Sequence, residues 1–257
     1  MNTHQYIAIG IAIILLGVLQ FGFNKKPKEQ LLIEKSRAEN FENTSIDLLM
    51  SEALDGLDPS TRLFFEKKIQ LLAEQDSSEI DGLIDLSGEW YRVKEYALAG
   101  YYAEKVAEAK DNEESWSIAG TTFAQGIRNA KSEKERTFCA NRAIKALQMA
   151  ISLNPENLDH RVNLGICYAD FPPKDNPMQG IQILLQLNDE HPTHIPTLMA
   201  LGRLAIQTGQ WDKAQARLEK VVQLMPDHKQ AYCLLVQAYQ GSGGTNQAAN
   251  ALNRCNN

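Results

Sequence analysis

The stretch 201-LGRLAIQTGQWDKA-214 sets two small residues, Gly202 and Ala214, twelve positions apart in a run patterned like two amphipathic helices. Apolar residues recur at helical spacing on both sides of a short polar turn. The unit extends from Ile195 to His228. Its first half offers Leu198, Leu201, Gly202 and Ala205, and its second offers Ala214, Leu218, Val221 and Leu224. Pro226 ends it, because proline cannot continue a helix. Two antiparallel helices approach most closely where neither carries bulk. Gly202 and Ala214 are therefore expected to meet at the crossing, with larger apolar residues on the flanks.

The same design recurs along the chain. Ile80–Glu113 offers Leu83, Leu86, Ser87, Trp90, Tyr96, Ala99 and Val106. A second unit, beginning at Trp116, has Gly120, Phe123, Ala143, Leu147, Ala150 and Pro155. Gly120 and Ala143 are 23 apart where 12 is usual. The spacing predicts two elongated helices, their tip near residues 131–133, because 11 extra residues make about three turns. A third unit has Leu164, Gly165, Tyr168, Gly180 and Leu184, with a longer turn in which Asn176 and Pro177 read as N-cap and first helical residue. The last has Tyr232, Leu235, Tyr239, Ala248 and Leu252. Ahead of them, Asp58 and Pro59 open a helix to Gln75, with Leu63, Phe64, Ile69, Leu71 and Leu72 as its apolar face.

These units resemble the tetratricopeptide repeat, a helix-turn-helix of about 34 residues with small residues at its eighth and twentieth positions. Trp211 occupies the aromatic position of that repeat's turn. The resemblance covers about Ile80 to Arg254. It implies an all-α solenoid of about five repeats, with the helix after Asp58 as an N-terminal cap.

Ahead of the repeats, Tyr6–Phe23 reads YIAIGIAIILLGVLQFGF and carries no charge. Eighteen helical residues span roughly 27 Å, close to a bilayer's hydrocarbon core. The segment lacks the basic start and small-residue cleavage site of a signal peptide. The chain thus divides into an anchor (1–27), a charged juxtamembrane spacer (28–57) and the solenoid (58–257). Lys25, Lys26 and Lys28 follow the apolar run at once, which favours the cytoplasmic side of a bacterial inner membrane for the solenoid. Export to the periplasm is the alternative.

Composition narrows the function. A net charge of −6 argues against nucleic acid. Of Cys139, Cys167, Cys233 and Cys255, none forms a CxxC pair. Cys167 and Cys233 fall in helical patterns and read as small apolar residues. GSGG around Gly243 reads as an interhelical turn, and His191 and His194 as linker residues. No catalytic pairing, metal set or cofactor motif is present, so an enzyme is not expected.

In the tetratricopeptide family, the concave side is lined by the first helix of each repeat and holds a peptide or a partner's helix. The resemblance places that binding on Tyr91, Arg92, Thr121, Gln125, Asp159, Val162, Ile166, Met199, Arg203 and Gln207. Ser117 and Gln237 belong to the same face. The family's carboxylate-clamping subtype needs Lys, Arg and Asn at positions that carry Ser117, Thr121, Asn163, Pro196 and Ala200 here, and only Asn163 matches. The expectation is a membrane-anchored scaffold that binds another protein. The alternatives are a periplasm-facing factor for cytochrome c maturation or envelope-protein assembly, and a homo-oligomer self-associating through Gly10 and Gly17.

Overall fold

The computed structural model describes residues 46–74 and 80–256. The anchor expected over 1–27 and most of the spacer expected over 28–57 lie outside the described residues. Among the described residues no helix is long and apolar enough to cross a membrane. Contacts divide the chain into two units, Met1–Glu52 and Ala53–Asn257, and the second carries the architecture.

The described residues form helices and no strand. Helix α1 covers 46–55. It is followed by α2 (Pro59–Glu74), α3 (Ile80–Arg92), α4 (Tyr96–Lys110), α5 (Glu113–Asn129), α6 (Glu133–Leu153) and α7 (Leu158–Asp170). Then come α8 (Gln179–Glu190), α9 (Ile195–Gln207), α10 (Trp211–Leu224), α11 (Lys229–Ser242) and α12 (Thr245–Asn256). From α3 onward they pair as five antiparallel hairpins. Polar caps fix the starts: the Asn112 side chain accepts from Ser115 N at 2.9 Å, and Ser132 Oγ accepts from Glu135 N at 3.1 Å. Gly243, at φ 83°, ends α11 in the left-handed conformation that favours glycine.

The hairpin crossings differ from the expectation in one respect. A Cβ built on Gly202 would lie 2.8 Å from Leu218 Cγ, so the glycine's space is taken by Leu218, one turn beyond Ala214. Gly120 receives Leu147, and Gly165 receives Leu184, in the same way. Helical side chains lean toward their own N-terminus, which brings the leucine back over the glycine. The residue equivalent to Ala214 rests on backbone instead. A Cβ on Gly180 would be 2.4 Å from both Ala169 N and Gly165 O.

The second hairpin is elongated. Helix α5 has 17 residues against 13 in α9, and α6 has 21 against 14 in α10. All 11 extra residues enter the helices, with the turn at 130–132. This tip is tied to both neighbours: Lys131 pairs with Glu95, and Arg136 Nη2 donates to Asp170 O at 2.6 Å. Gly126, in the added turns, lies under Cys139 Sγ.

Three further expectations are corrected. Helix α8 starts at Gln179, because Pro177 and Met178 form a separate turn closed by Gln179 N donating to Asn176 O. On α2 the buried residue is Phe65, stacked on Trp90 at 3.8 Å, while Leu63, Phe64 and Leu71 remain exposed. Two adjacent phenylalanines cannot both face the core of a helix, and Trp90 selects the second. Leu72 does lie against α3, where a Cβ on Gly82 would meet it at 3.0 Å. Finally, Cys233 is no simple apolar filler. It is disulfide-bonded to Cys255 across the last hairpin, with Cα atoms 4.9 Å apart.

Candidate functional site

The first helices of successive hairpins form one face of the stack, called here the inner face. Helices α5 and α7, α7 and α9, and α9 and α11 pack side by side along it. Tyr91 and Arg92 stand on α3, Thr121 and Gln125 on α5, Asp159, Val162 and Ile166 on α7, and Met199, Arg203 and Gln207 on α9.

Their environments differ. Tyr91 is exposed and pinned edge-on by Tyr96 at 5.1 Å. Arg92 is exposed and pairs with Glu89 at 3.1 Å. Thr121 spends its hydroxyl on Ser117 O at 2.8 Å, and so offers mainly a methyl group outward. Asp159 lies 3.4 Å from His194, joining the third and fourth hairpins. Val162 is not available to a partner. It is buried among Leu184, Leu187, Ala200 and Leu201, because the packing of α9 onto the third hairpin covers it. Ile166 is half-buried against the same interior, and Met199 is half-buried against the neighbouring clusters of Leu198, Leu218 and Leu235. Gln207 is exposed.

Arg203 belongs to a charged row that the sequence did not reveal. Arg128 Nε of α5 lies 3.9 Å from an Asp170 carboxylate oxygen at the end of α7. Arg203 on α9 feels both groups: burial and then Arg128 lower its pKa, while Asp170 raises it. Its Nη2 is buried with no hydrogen-bond partner.

The inner face is interrupted at one step. Helices α3 and α5 are not packed together as the later first helices are. Between them opens a cleft of about 190 Å³, floored by Ala103 and Val106 of α4 and walled by Ile84, Ser87, Ser115 and Ile118. Lys110 and Glu114 also border it. Ile84 and Ile118 are 45% and 51% exposed, unusual values for isoleucines beside a cleft. Ser87 Oγ donates to Ala99 O at 2.9 Å, so a polar group at the crossing is satisfied internally.

No family model and no curated relative matches this chain. Among solved structures, TTC0263, a thermophilic TPR protein of Thermus thermophilus, aligns over 77% of this chain and 99% of its own, at 16% identity and TM-score 0.51. The fold is that of the tetratricopeptide repeat. A MamA crystal structure aligns over 70% of this chain and 91% of its own, at 19% identity and TM-score 0.44. YrrB, described as a TPR protein with an unusual peptide-binding site, aligns over 73% and 90%, at 15% identity and TM-score 0.39.

The tetratricopeptide frame accounts for the remaining polar motifs. His194 stands at the N-cap position of α9 without a side-chain bond to the backbone, its ring 2.9 Å from Thr197 Oγ1 instead, and His191 ends α8. Among the described residues no group of three or more His, Cys, Asp or Glu could hold a metal ion. Glu113 is a structural anion at the start of α5. It accepts from Asn154 and Asn157 at 2.8 and 2.7 Å and lies 2.6 Å from His160, and these bonds hold its carboxyl down to about 2. Sequence reading missed Ile84 and Ile118 because helical spacing alone gives two apolar residues equal standing. Only the separation of α3 from α5 leaves this pair in water.

Proposed function

We propose that this chain is a membrane-anchored tetratricopeptide scaffold that binds another protein through its inner face, without catalysing a reaction. The observation that carries the reading is the cleft walled by the exposed Ile84 and Ile118. Apolar groups clustered at a concavity mark a surface that a partner desolvates. The apolar run over 6–23 supports a single-pass anchor, which would raise the scaffold's effective concentration near membrane partners. Arg128, Arg203, Gln125 and Gln207 extend the same face for polar contacts.

The disulfide bears on the side of the membrane. Cys233–Cys255 bonds persist in oxidising compartments and are rare in the cytosol of mesophiles. This outweighs the short lysine run after the anchor, and the solenoid is read as facing the periplasm. That location favours an assembly factor for envelope or exported proteins over a cytoplasmic adaptor.

A photoreactive residue placed in the full-length protein at Gln125 or Gln207, and separately at Lys145 on α6, tests the scaffold reading in intact cells. One dominant protein captured at the inner-face positions and absent at Lys145 is the expected result. Equal capture at Lys145, or none at the inner face, would overturn it.

A further inference from the structure

The second helices of the hairpins make the other, outer side of the stack. Over the first two hairpins this side is closed, because α6 packs on α4. Between the third and fourth hairpins it is open. Helices α8 and α10 pack on α9 from either side rather than on one another. A cleft of about 370 Å³ lies there, floored by Leu201 and Leu204 of α9. It shares no residue with the cleft between α3 and α5.

Its two banks differ in chemistry. On one, the long turn after α7 brings Pro172, Pro177 and Met178, and α8 adds Ile181 and Leu185, one turn apart. Met178 and Leu185 are 51% and 39% exposed, so this bank presents apolar surface to water. On the other, Lys213 and Arg217 stand one turn apart on α10. Lys213 Nζ donates to Gln210 Oε1 at 2.7 Å, and Arg217 Nη1 reaches Leu201 O at a long 3.5 Å. Neither base pairs with an acid among the described residues, and no acid is among the described residues that line the cleft. Burial alone lowers the Arg217 pKa. A mostly apolar concavity with a few polar groups at one side has the make-up of a small-ligand site, and this volume is at the lower end for one.

We propose that this cleft binds a single-chain amphiphile with an anionic head. The acyl chain lies over Leu201 and Leu204, against Met178, Ile181 and Leu185, and its carboxylate or phosphate is held by Lys213 and Arg217. The tail takes exposed apolar surface out of water, and the head supplies the counter-charge that both bases lack. An acyl chain brings no hydrogen-bonding group to the apolar bank. An extended peptide would bring a backbone donor and acceptor at nearly every residue, and these side chains offer no strong partner for them. The site is independent of the inner-face reading, and both can be filled at once.

The test uses the full chain in phosphatidylcholine nanodiscs, free of detergent, with decanoate bearing a diazirine near its tail end as the probe. Irradiation and peptide mapping should place the label on residues 172–185. Decanoate or decyl phosphate should displace it, and butanoate and decyltrimethylammonium should not. Leu185→Glu and the Lys213→Glu, Arg217→Glu variant should each weaken labelling at least about tenfold. The charge-reversed variant should instead take up the diazirine analogue of decyltrimethylammonium. Leu185 is exposed and neither base forms an ion pair, so both variants should melt with the parent, and lost labelling is not lost folding. Label spread evenly over the other outer helices, equal displacement by decyltrimethylammonium, or unchanged labelling of both variants would overturn the proposal. Photocapture at Gln125 in intact cells reports on the inner face alone. Its failure with labelling of the cleft intact would overturn the scaffold reading and leave this one standing.

Discussion

Three glycine-to-alanine changes should have three different outcomes, ordered by what faces each glycine. In Gly88→Ala the new methyl meets open space. Only helix propensity changes, and the hairpin should gain about 1 kcal/mol. In Gly202→Ala the methyl would lie 2.8 Å from Leu218 Cγ and 2.9 Å from its Cδ2. Ordinary carbon contacts are about 3.5–4.0 Å, so Leu218 must shift by roughly 0.7 Å. Overpacking of this kind costs about 1–3 kcal/mol, partly offset by the propensity gain, leaving a net loss of about 1 kcal/mol. In Gly180→Ala the opposing atoms are backbone, Ala169 N and Gly165 O at 2.4 Å. No rotamer change relieves that contact, and α7 and α8 must separate. A loss of about 3 kcal/mol or more is expected. The decisive variant is the double change. Leu218→Ala alone should cost about 2–5 kcal/mol, since Leu218 is fully buried. Added to it, Gly202→Ala should become stabilising, giving a coupling of about 2 kcal/mol. Urea titrations of the detergent-solubilised full chain, followed by circular dichroism, measure the five variants beside the parent. If Gly202→Ala is equally harmful with and without Leu218, or Gly180→Ala is as mild as Gly88→Ala, the description of the crossings is wrong.

The disulfide joins residues 22 apart, and chain entropy assigns such a loop about 3 kcal/mol. Replacing Cys233 and Cys255 by alanine should raise hydrogen exchange in α11 and α12 while leaving the first two hairpins unchanged. In intact cells these two cysteines should resist a maleimide reagent until a reductant is added, and labelling without reductant would contradict the periplasmic assignment. Cys139 and Cys167 are free and buried, and burial pushes both thiols up, Cys167 to about 12. Both should stay unreactive toward thiol reagents at neutral pH until the fold is opened by denaturant. Glu113 has a depressed folded-state pKa, so its contribution is present above the ordinary glutamate range and is lost as pH falls toward about 2. Melting temperature measured between pH 6 and pH 2 should drop on acidification, and Glu113→Gln should flatten that drop.

Much of the architecture was legible because the hairpin signal is local. Small residues at fixed offsets and a polar turn mark the repeat from Ile195 to His228 and its neighbours, and in three of the five a proline follows the second helix (Pro155, Pro192 and Pro226). Other features depend on which side chain wins a shared position. Phe64 and Phe65 are equivalent in the sequence, and the stack on Trp90 decides between them. Val162 falls at a groove position of the repeat, yet it is buried in a cluster that Ala200 and Leu201 of the next hairpin share. The disulfide did leave a trace. Cys233 and Cys255 are each eleven residues from Gly244 in the turn, which puts them at the same level of an antiparallel pair, and the rotation of the two helices then decides that they meet. The charged row of Arg128, Asp170 and Arg203 left none, since its members belong to three hairpins brought into line only by stacking.

The long second hairpin has a consequence for how the stack unfolds. In a simple array each repeat touches only its neighbours, and fraying can stop at any boundary. Here Lys131 grips Glu95 of the first hairpin, and Arg136 grips the Asp170 carbonyl of the third. A single tip thereby clamps three repeats into one cooperative block. At the other end, Cys233–Cys255 holds the fifth hairpin closed by a covalent route of its own. The weakest seam then falls between these reinforced parts, around the fourth hairpin, where Gly202 and Leu218 meet. Force or denaturant should enter the solenoid from its middle rather than peel it from an end.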